Sequence, residues 1–268
     1  GTGYNAAVLA ECVGTRGVVV TSEIDTEIAA GATRAVRRWP TIAVITDDTP
    51  RRRVFDRIIV TAGVQTLHPT WFCALSNEGV LVANLEGPLA NAMVRFQRAG
   101  NDFVGTIPAL ASVSFVPLID ISARRARPRV DVRDPGPLCI AGPEIPSAAL
   151  DAIRNNNRDF LMLLQLLEPT WRFAYMSADS AAFKVLVDEN THSMLWIPLD
   201  PTLPTPTRGE GDVASRLVTA YLRWSQWGSP TISDYTLTYR PAQQRLTVTT
   251  HAGNVTSTQF LPTSMPPS

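Results

Sequence analysis

The chain has 268 residues, enough to bury a full core with room for two modest domains. Its 24 Lys and Arg balance its 24 Asp and Glu, so no general attraction to nucleic acid or to an anionic membrane follows. No stretch approaches the ~20 apolar residues that span a bilayer, and the longest candidate, Phe160 to Leu167, is broken by Gln165. Positive charge is nearly all arginine, with Lys184 the only lysine. Cys12, Cys73 and Cys139 lie far apart and are odd in number, which argues against a disulfide framework or a zinc site. They read as buried free thiols in a cytoplasmic protein.

Along the chain, Gly1-Thr2-Gly3 opens a helix over Tyr4 to Val13 that Gly14 is placed to end. Such a turn ordinarily follows a buried strand, so a strand is expected upstream of Gly1. Val18 to Thr21 reads as a short strand closed by Glu23. Asp25 caps a helix from Thr26 to Trp39, and Pro40 stops it. Thr41 to Thr46, Phe55 to Thr61 and Gly79 to Ala83 are further strands, with a helix from Pro69 to Ser76 before the last. Alternating strands and helices of this length predict a parallel sheet covered on both faces. From Ala92 to Pro117 the character changes to antiparallel strands at a sheet edge, which predicts a first domain over 1–120.

Ser122 to Pro137, rich in Arg and Pro, reads as a solvated linker. An α+β domain over 138–268 is expected beyond it. Its parts are a helix from Ser147 to Leu167, strands Arg172 to Met176, Phe183 to Val187 and Met194 to Ile197, a helix from Asp212 to Trp227, and a hairpin of Tyr235 to Tyr239 with Arg245 to Thr249. Pro198 to Gly211 reads as a loop without regular structure.

A Gly-x-Gly turn brings backbone N–H groups close to a ligand, and a carboxylate at the end of the next strand accepts hydrogen bonds from a ribose diol. Gly1, Gly3 and Glu23 fit that description for NAD and for S-adenosylmethionine alike. Asp47 and Asp48 end the following strand, where a carboxylate reaches an adenine amino group. His68, His192 and His251 show no metal-ligand spacing, so no metal is expected.

The order Gly-Thr-Gly-Tyr-Asn-Ala-Ala-Val-Leu-Ala, Val-Val-Thr-Ser-Glu-Ile-Asp, Phe-Asp-Arg-Ile-Ile-Val-Thr-Ala-Gly and Pro-Thr-Trp-Phe with Glu78-Gly79 resembles the protein-L-isoaspartate O-methyltransferase family over about residues 1 to 118. The segment Leu217 to Trp224 and Tyr235 to Thr238 looks like the C-terminal extension of actinobacterial members associated with ribosomally made peptides. The resemblance implies a Rossmann-like S-adenosylmethionine methyltransferase sheet with a C-terminal α+β domain that recognises substrate. It places Gly1, Gly3, Tyr4 and Asn5 under the methionine portion of the donor, Glu23 with Ile24 on the ribose, and Asp47 or Asp48 near the adenine. Asp47 stands where the family usually has Gly, and the passage from Asp48 to Phe55 is shorter than the family's. A serine-containing substrate segment that the family carries upstream of the glycine turn is absent from this sequence. Within the chain, Thr61, Val64 and His68 fall at a strand's carboxyl end and are the expected substrate contacts.

The resemblance implies methylation of an aspartyl or isoaspartyl carboxylate of a peptide or protein, in particular a ribosomally made precursor, with succinimide formation to follow. Repair of isoaspartyl protein, a tRNA or small-metabolite methyltransferase, a pyridine-nucleotide oxidoreductase and a non-catalytic binding module remain open. Zero net charge and loose basic and aromatic interleaving weigh against RNA.

Overall fold

The computed structural model describes residues 1–46, 54–109, 132, 144–178, 181–203, 208–210, 212–250 and 253–257. Contacts divide the chain into two compact units, the first comprising Gly1–Val54 and the second beginning at Phe55. The fold is mixed α/β, as expected. Its parallel strands, however, fall in two sheets rather than one.

In the first unit, helix α1 (Tyr4–Val13) leads to strand β1 (Val19–Ser22), helix α2 (Thr26–Ala35) and strand β2 (Ile42–Ile45). Asp25 accepts from the N–H groups of Glu27 (2.9 Å) and Ile28 (3.0 Å), which fixes where α2 begins. The helix ends at Ala35, short of Trp39, and a turn carries the chain to Pro40. Strands β1 and β2 run parallel with Val19 opposite Ile42 and Ser22 opposite Ile45, making a βαβ unit of the Rossmann-like kind. Ala6, Ala10 and Val19 form its small core, with Leu9, Trp39 and Ile42 against them. Cys12 and Cys73 are free and exposed, contrary to the expected burial. Cys12 lies on the solvent side of α1, away from the Ala6 and Ala10 face. Cys139 lies outside the described residues.

The second unit starts with β3 (Phe55–Val64), α3 (Pro69–Cys73) and β4 (Leu75–Glu86). Strand β4 begins at Leu75, so α3 is shorter than the helix expected to Ser76. Strands β3 and β4 are parallel. Strands β5 (Asn91–Ala99) and β6 (Asp102–Thr106) follow antiparallel, as the change of pattern after Ala92 predicts. The rest of that segment, 110–117, lies outside the described residues, as does the expected linker except Val132.

The helix expected over Ser147 to Leu167 is two: α4 (Ser147–Arg154) and α5 (Arg158–Leu167). Asn156 takes φ 53° between them, and the Asn157 side chain caps α5 on the N–H groups of Asp159 and Phe160. Strands β7 (Trp171–Ala178), β8 (Ala181–Asp188), β9 (Met194–Pro198) and β10 (Arg208–Glu210) form an antiparallel sheet. Strand β10 lies within the stretch expected to be irregular. Helix α6 (Val213–Gln226) precedes the predicted hairpin, β11 (Tyr235–Arg240) and β12 (Arg245–Thr250), which β13 (Gly253–Ser257) extends.

Strand β11 pairs antiparallel with β6, Leu237 opposite Gly105. One seven-stranded sheet, in the order β13-β12-β11-β6-β5-β4-β3, therefore draws on both sides of the boundary expected between 120 and 138. The compact units part near Val54 instead, because the hairpin completes the edge that β6 offers.

Between the two sheets of the second unit lies α5, whose residues Phe160 to Leu166 are all buried. Met162, Leu163 and Leu166 meet Leu81, Leu85, Phe96 and Tyr239 of the seven-stranded sheet. Phe160, Leu161 and Leu164 join Trp171, Leu186 and Leu195 of the other, along with α4 and α6. Each such leucine contributes about 1.5–3 kcal/mol of burial. Gln165, the polar residue of this run, turns its Oε1 to the N–H groups of Leu89 (3.2 Å) and Ala90 (2.9 Å) in the β4–β5 turn. Gly87 in that turn is bare because a Cβ would sit 2.3 Å from the same oxygen.

Two cations tie the second sheet to its helices. Arg216 of α6 bonds Glu168 and, at 2.7 Å, the buried Asp188. Burial alone would raise the Asp188 carboxyl, but hydrogen bonds from Thr170, Arg216 and the Asn190 N–H hold it down to about 2. Lys184 is fully buried, donating to the Ile153 carbonyl (2.7 Å) and to Asn156 Oδ1, with its Nζ 3.9 Å from the Phe173 ring centre. Burial pushes its ammonium down to about 8.

Replacing Gln165 by Leu leaves two buried N–H groups unpaired and is expected to cost roughly 2–4 kcal/mol, read as a lowered urea midpoint. For Lys184 the folded chain binds fewer protons than the unfolded one between its own pKa of about 8 and the ordinary 10.5. Stability is therefore expected to rise, by about 2 kcal/mol, from pH 8 to about pH 10, and Lys184→Met to abolish the rise in urea titrations across that range.

Candidate donor site and strand-end polar groups

The first unit brings the glycine turn and the predicted carboxylate together. Gly3 precedes α1 with φ 88°, a left-handed conformation that favours glycine, and its carbonyl accepts the first helical bond from Ala7 at 3.0 Å. A Cβ at Gly3 would lie 2.8 Å from Val36 Cγ1 and 3.5 Å from Ala32, so the turn is pressed against α2. At Gly1 a Cβ would meet nothing within 4 Å. No side chain caps α1, so the N–H groups of its first turn are not satisfied by a side-chain cap and could serve a ligand. Tyr4 and Asn5 sit exposed in that turn.

Glu23 follows β1, with its own N–H bonded to the Ile45 carbonyl of β2 at 3.0 Å. One carboxylate oxygen accepts from the Gly1 amino group and the other from the Asp25 N–H at 2.9 Å. The Gly1 bond first, and then the Asp25 bond, hold this carboxyl below the usual range. An ionised carboxylate fixed beside a glycine turn offers the acceptor that the hydroxyls of a sugar diol need and the charge that a cationic ligand needs. These residues fit a nucleoside-bearing cofactor. Ile24 is half-buried next to Glu23. Asp47 and Asp48 lie outside the described residues.

The expected substrate residues belong to the second unit and fare differently. Thr61 is exposed on β3. His68 is exposed before α3, its Nδ1 2.6 Å from Thr70 Oγ1. Val64 is 1% exposed and packs in the core with Phe72 and Leu85, so it cannot touch a substrate. The strand runs three residues further than expected and carries Val64 inward.

Sequence reasoning passed over a group at the carboxyl ends of β3 and β4. Gly63 lies opposite Asn84, and Glu86 fills the space where Gly63 has no Cβ, its Oε1 2.1 Å from the position such an atom would take. Asn84 is 1% exposed, and neither atom of its side-chain amide has a hydrogen-bond partner among the described residues. The signal was available: Asn84 and Glu86 are polar residues closing the otherwise apolar run Val80 to Leu85. Among the described residues no cluster of His, Cys, Asp or Glu could hold a metal ion. None of their helices is long and apolar enough to cross a membrane.

Residues 1–123 match the family described as protein-L-isoaspartate(D-aspartate) O-methyltransferase. A protein-L-isoaspartate O-methyltransferase of Pyrobaculum islandicum is 34% identical over 127 residues, covering 45% of this chain and 60% of the relative. Another, of Thermotoga maritima, is 33% identical over 102 residues, covering 36% of this chain and 32% of the relative. The chain thus spans at most about three fifths of these two relatives. A solved protein-L-isoaspartate O-methyltransferase structure superposes with a TM-score of 0.45 at 20% identity, covering 89% of this chain and 69% of that one.

Gly3→Ala meets both a left-handed backbone and Val36, and is expected to destabilise the first unit by roughly 2–3 kcal/mol. Gly1→Ala should leave the melting temperature unchanged. Differential scanning calorimetry of the two variants makes the comparison.

Proposed function

We propose that this chain, whose residues 1–123 match the protein-L-isoaspartate O-methyltransferase family, binds S-adenosylmethionine and methylates a side-chain carboxylate of a peptide or protein. The observation that carries the reading is Glu23, fixed beside the Gly1 to Gly3 turn within the segment that matches the family. Gly3 lets the main chain approach the donor, Glu23 accepts from its ribose, and the first turn of α1, with Tyr4 and Asn5, lies under the methionine portion. The donor supplies an electrophilic methyl group to a carboxylate oxygen.

An aspartyl-type carboxylate has a pKa of ~3.9 and is already ionised at neutral pH, so the chain needs no general base. Its residues orient the nucleophile, an effect that can supply ~7–11 kcal/mol, and exclude water. Thr61 and His68, on the second unit, are proposed as substrate contacts. The relatives' name favours an isoaspartyl carboxylate. In the finer version, residues beyond 123 grip a ribosomally made precursor, and the neighbouring backbone nitrogen of that precursor displaces methanol from the ester to give a succinimide.

The test incubates the chain and labelled S-adenosylmethionine with an isoaspartyl peptide and with its aspartyl counterpart, and counts base-labile methyl ester. Ester on the isoaspartyl peptide alone supports the repair-type substrate, and ester on the aspartyl peptide supports the precursor version. Ester on neither overturns the proposal. Glu23→Gln is expected to weaken donor binding in calorimetry by roughly ten- to a hundredfold, the worth of one hydrogen bond to a charged group, with NAD as the comparison ligand.

A further inference from the structure

We propose that the carboxyl end of α2 is a docking site for an acidic peptide segment. Arg34, Arg37 and Arg38 fall within five residues of one another, and all three are exposed. With Gly31, Ala35 and Trp39 they line an open cleft of about 660 Å³. Among the described residues none of the three has a carboxylate partner.

Helix electrostatics account for only part of this cluster. The carboxyl end of a helix favours a nearby cation, and Arg34 in the last turn of α2 supplies one. Arg37 and Arg38 lie beyond the helix, where the dipole offers little more. Three guanidinium groups at this spacing repel one another, and an anion in the cleft relieves that repulsion.

The cleft's chemistry selects among anions. Each guanidinium presents a planar fork that matches a carboxylate in bidentate fashion. Trp39 has one ring face covered by Arg38, 3.9 Å from the ring centre, and its indole N–H donates to Glu11 Oε1 at 2.6 Å. The ring is thereby anchored as part of the wall, and it is not a free platform for a nucleobase. Zero net charge gives the chain no wider field to hold a polyphosphate backbone. A Cβ on Gly31, which also lines the cleft, would meet only Arg34 Nη2, at 3.9 Å, so the space beside it is open to an extended main chain. These features fit carboxylates displayed along a peptide.

The cleft also has a place relative to the glycine turn. Gly3 is pressed on Ala32 and Val36, so the arginines belong to the same stretch of chain that backs the turn. As a statement about substrate, the inference rests on the methyltransferase reading: a peptide with acidic residues flanking its reacting carboxylate would be preferred. As a statement about binding, it stands apart from that reading.

The experiment measures fluorescence anisotropy of a labelled oligoglutamate peptide, which lacks aspartyl and isoaspartyl residues, with the full chain and no methyl donor. Binding is expected at low salt and should weaken roughly tenfold when Arg34, Arg37 and Arg38 are all replaced by Gln, the sum of three exposed ion pairs. The triple variant gives up the Arg34 contact with the α2 dipole and the Arg38–Trp39 stack, so its melting temperature is expected to fall by only a few degrees, and binding is compared well below it. An anisotropy change that survives the triple substitution, or tighter binding of an oligothymidylate of equal charge, overturns the proposal. In the activity arm, the triple variant should raise KM for an isoaspartyl peptide with glutamate flanks and leave KM for one with serine flanks, at unchanged kcat. An equal rise for both overturns the substrate statement. Oligoglutamate binding without methylation of either peptide keeps the docking site and removes the methyltransferase reading.

Discussion

Helix α5 has no side that faces water, and the second unit is arranged around that fact. Seven consecutive buried residues, Phe160 to Leu166, pack against one sheet on one side and another on the other. A helix that is apolar on every side is stable only where it is enclosed. Both sheets, α4 and α6 supply the enclosure. The one polar residue in the run, Gln165, is spent on the β4–β5 turn, so the helix that fills the core also sets the geometry of a loop next to Asn84 and Glu86. The aromatic cluster of Phe72 with Phe96, Phe103 and Tyr239 closes the same core from the side of α3.

The first unit shows the opposite economy. Its buried apolar residues are mostly small, Ala6, Ala10, Val19, Ala29, Ala32 and Val36 among the described residues, and much of its order comes from backbone constraints. Gly3 in a left-handed conformation, Asp25 as a cap and Glu23 bonded at both oxygens each fix a turn that packing alone would leave loose. A site built this way is held by directional bonds and by the absence of Cβ atoms. Even conservative changes there act on geometry before they act on burial.

Local signals made much of this legible in the sequence. Gly3, Gly14 and Asp25 punctuate the first unit, and α1, β1 and the start of α2 fall where those residues put them, whereas α2 ends at Ala35, ahead of Pro40. The pairing of Glu23 with the glycine turn was legible for the same reason. The break between α4 and α5 had a signal in Asn155 to Asn157, since asparagine both caps helices and tolerates positive φ, but apolar periodicity on either side masks it. Strand β10 is three residues long and too short to show alternation. The pairing of β6 with β11 left no trace in either segment, because edge strands choose partners by geometry across the whole chain. Val64 was misplaced because the strand end was set at Thr61, and an apolar residue beyond it reads as a loop contact when it is the last inward step of β3.

The partnership of β6 and β11 separates two notions that are often treated as one. The stretch that carries family likeness ends at residue 123, yet the sheet begun in that stretch is finished by residues after 234, and its core is filled from 160 to 166. Ancestry and cooperative folding thus have different borders in this chain. A fragment cut where the likeness stops would present an unpaired strand edge and an uncovered apolar face, and would behave as an aggregating intermediate rather than as a smaller folded domain.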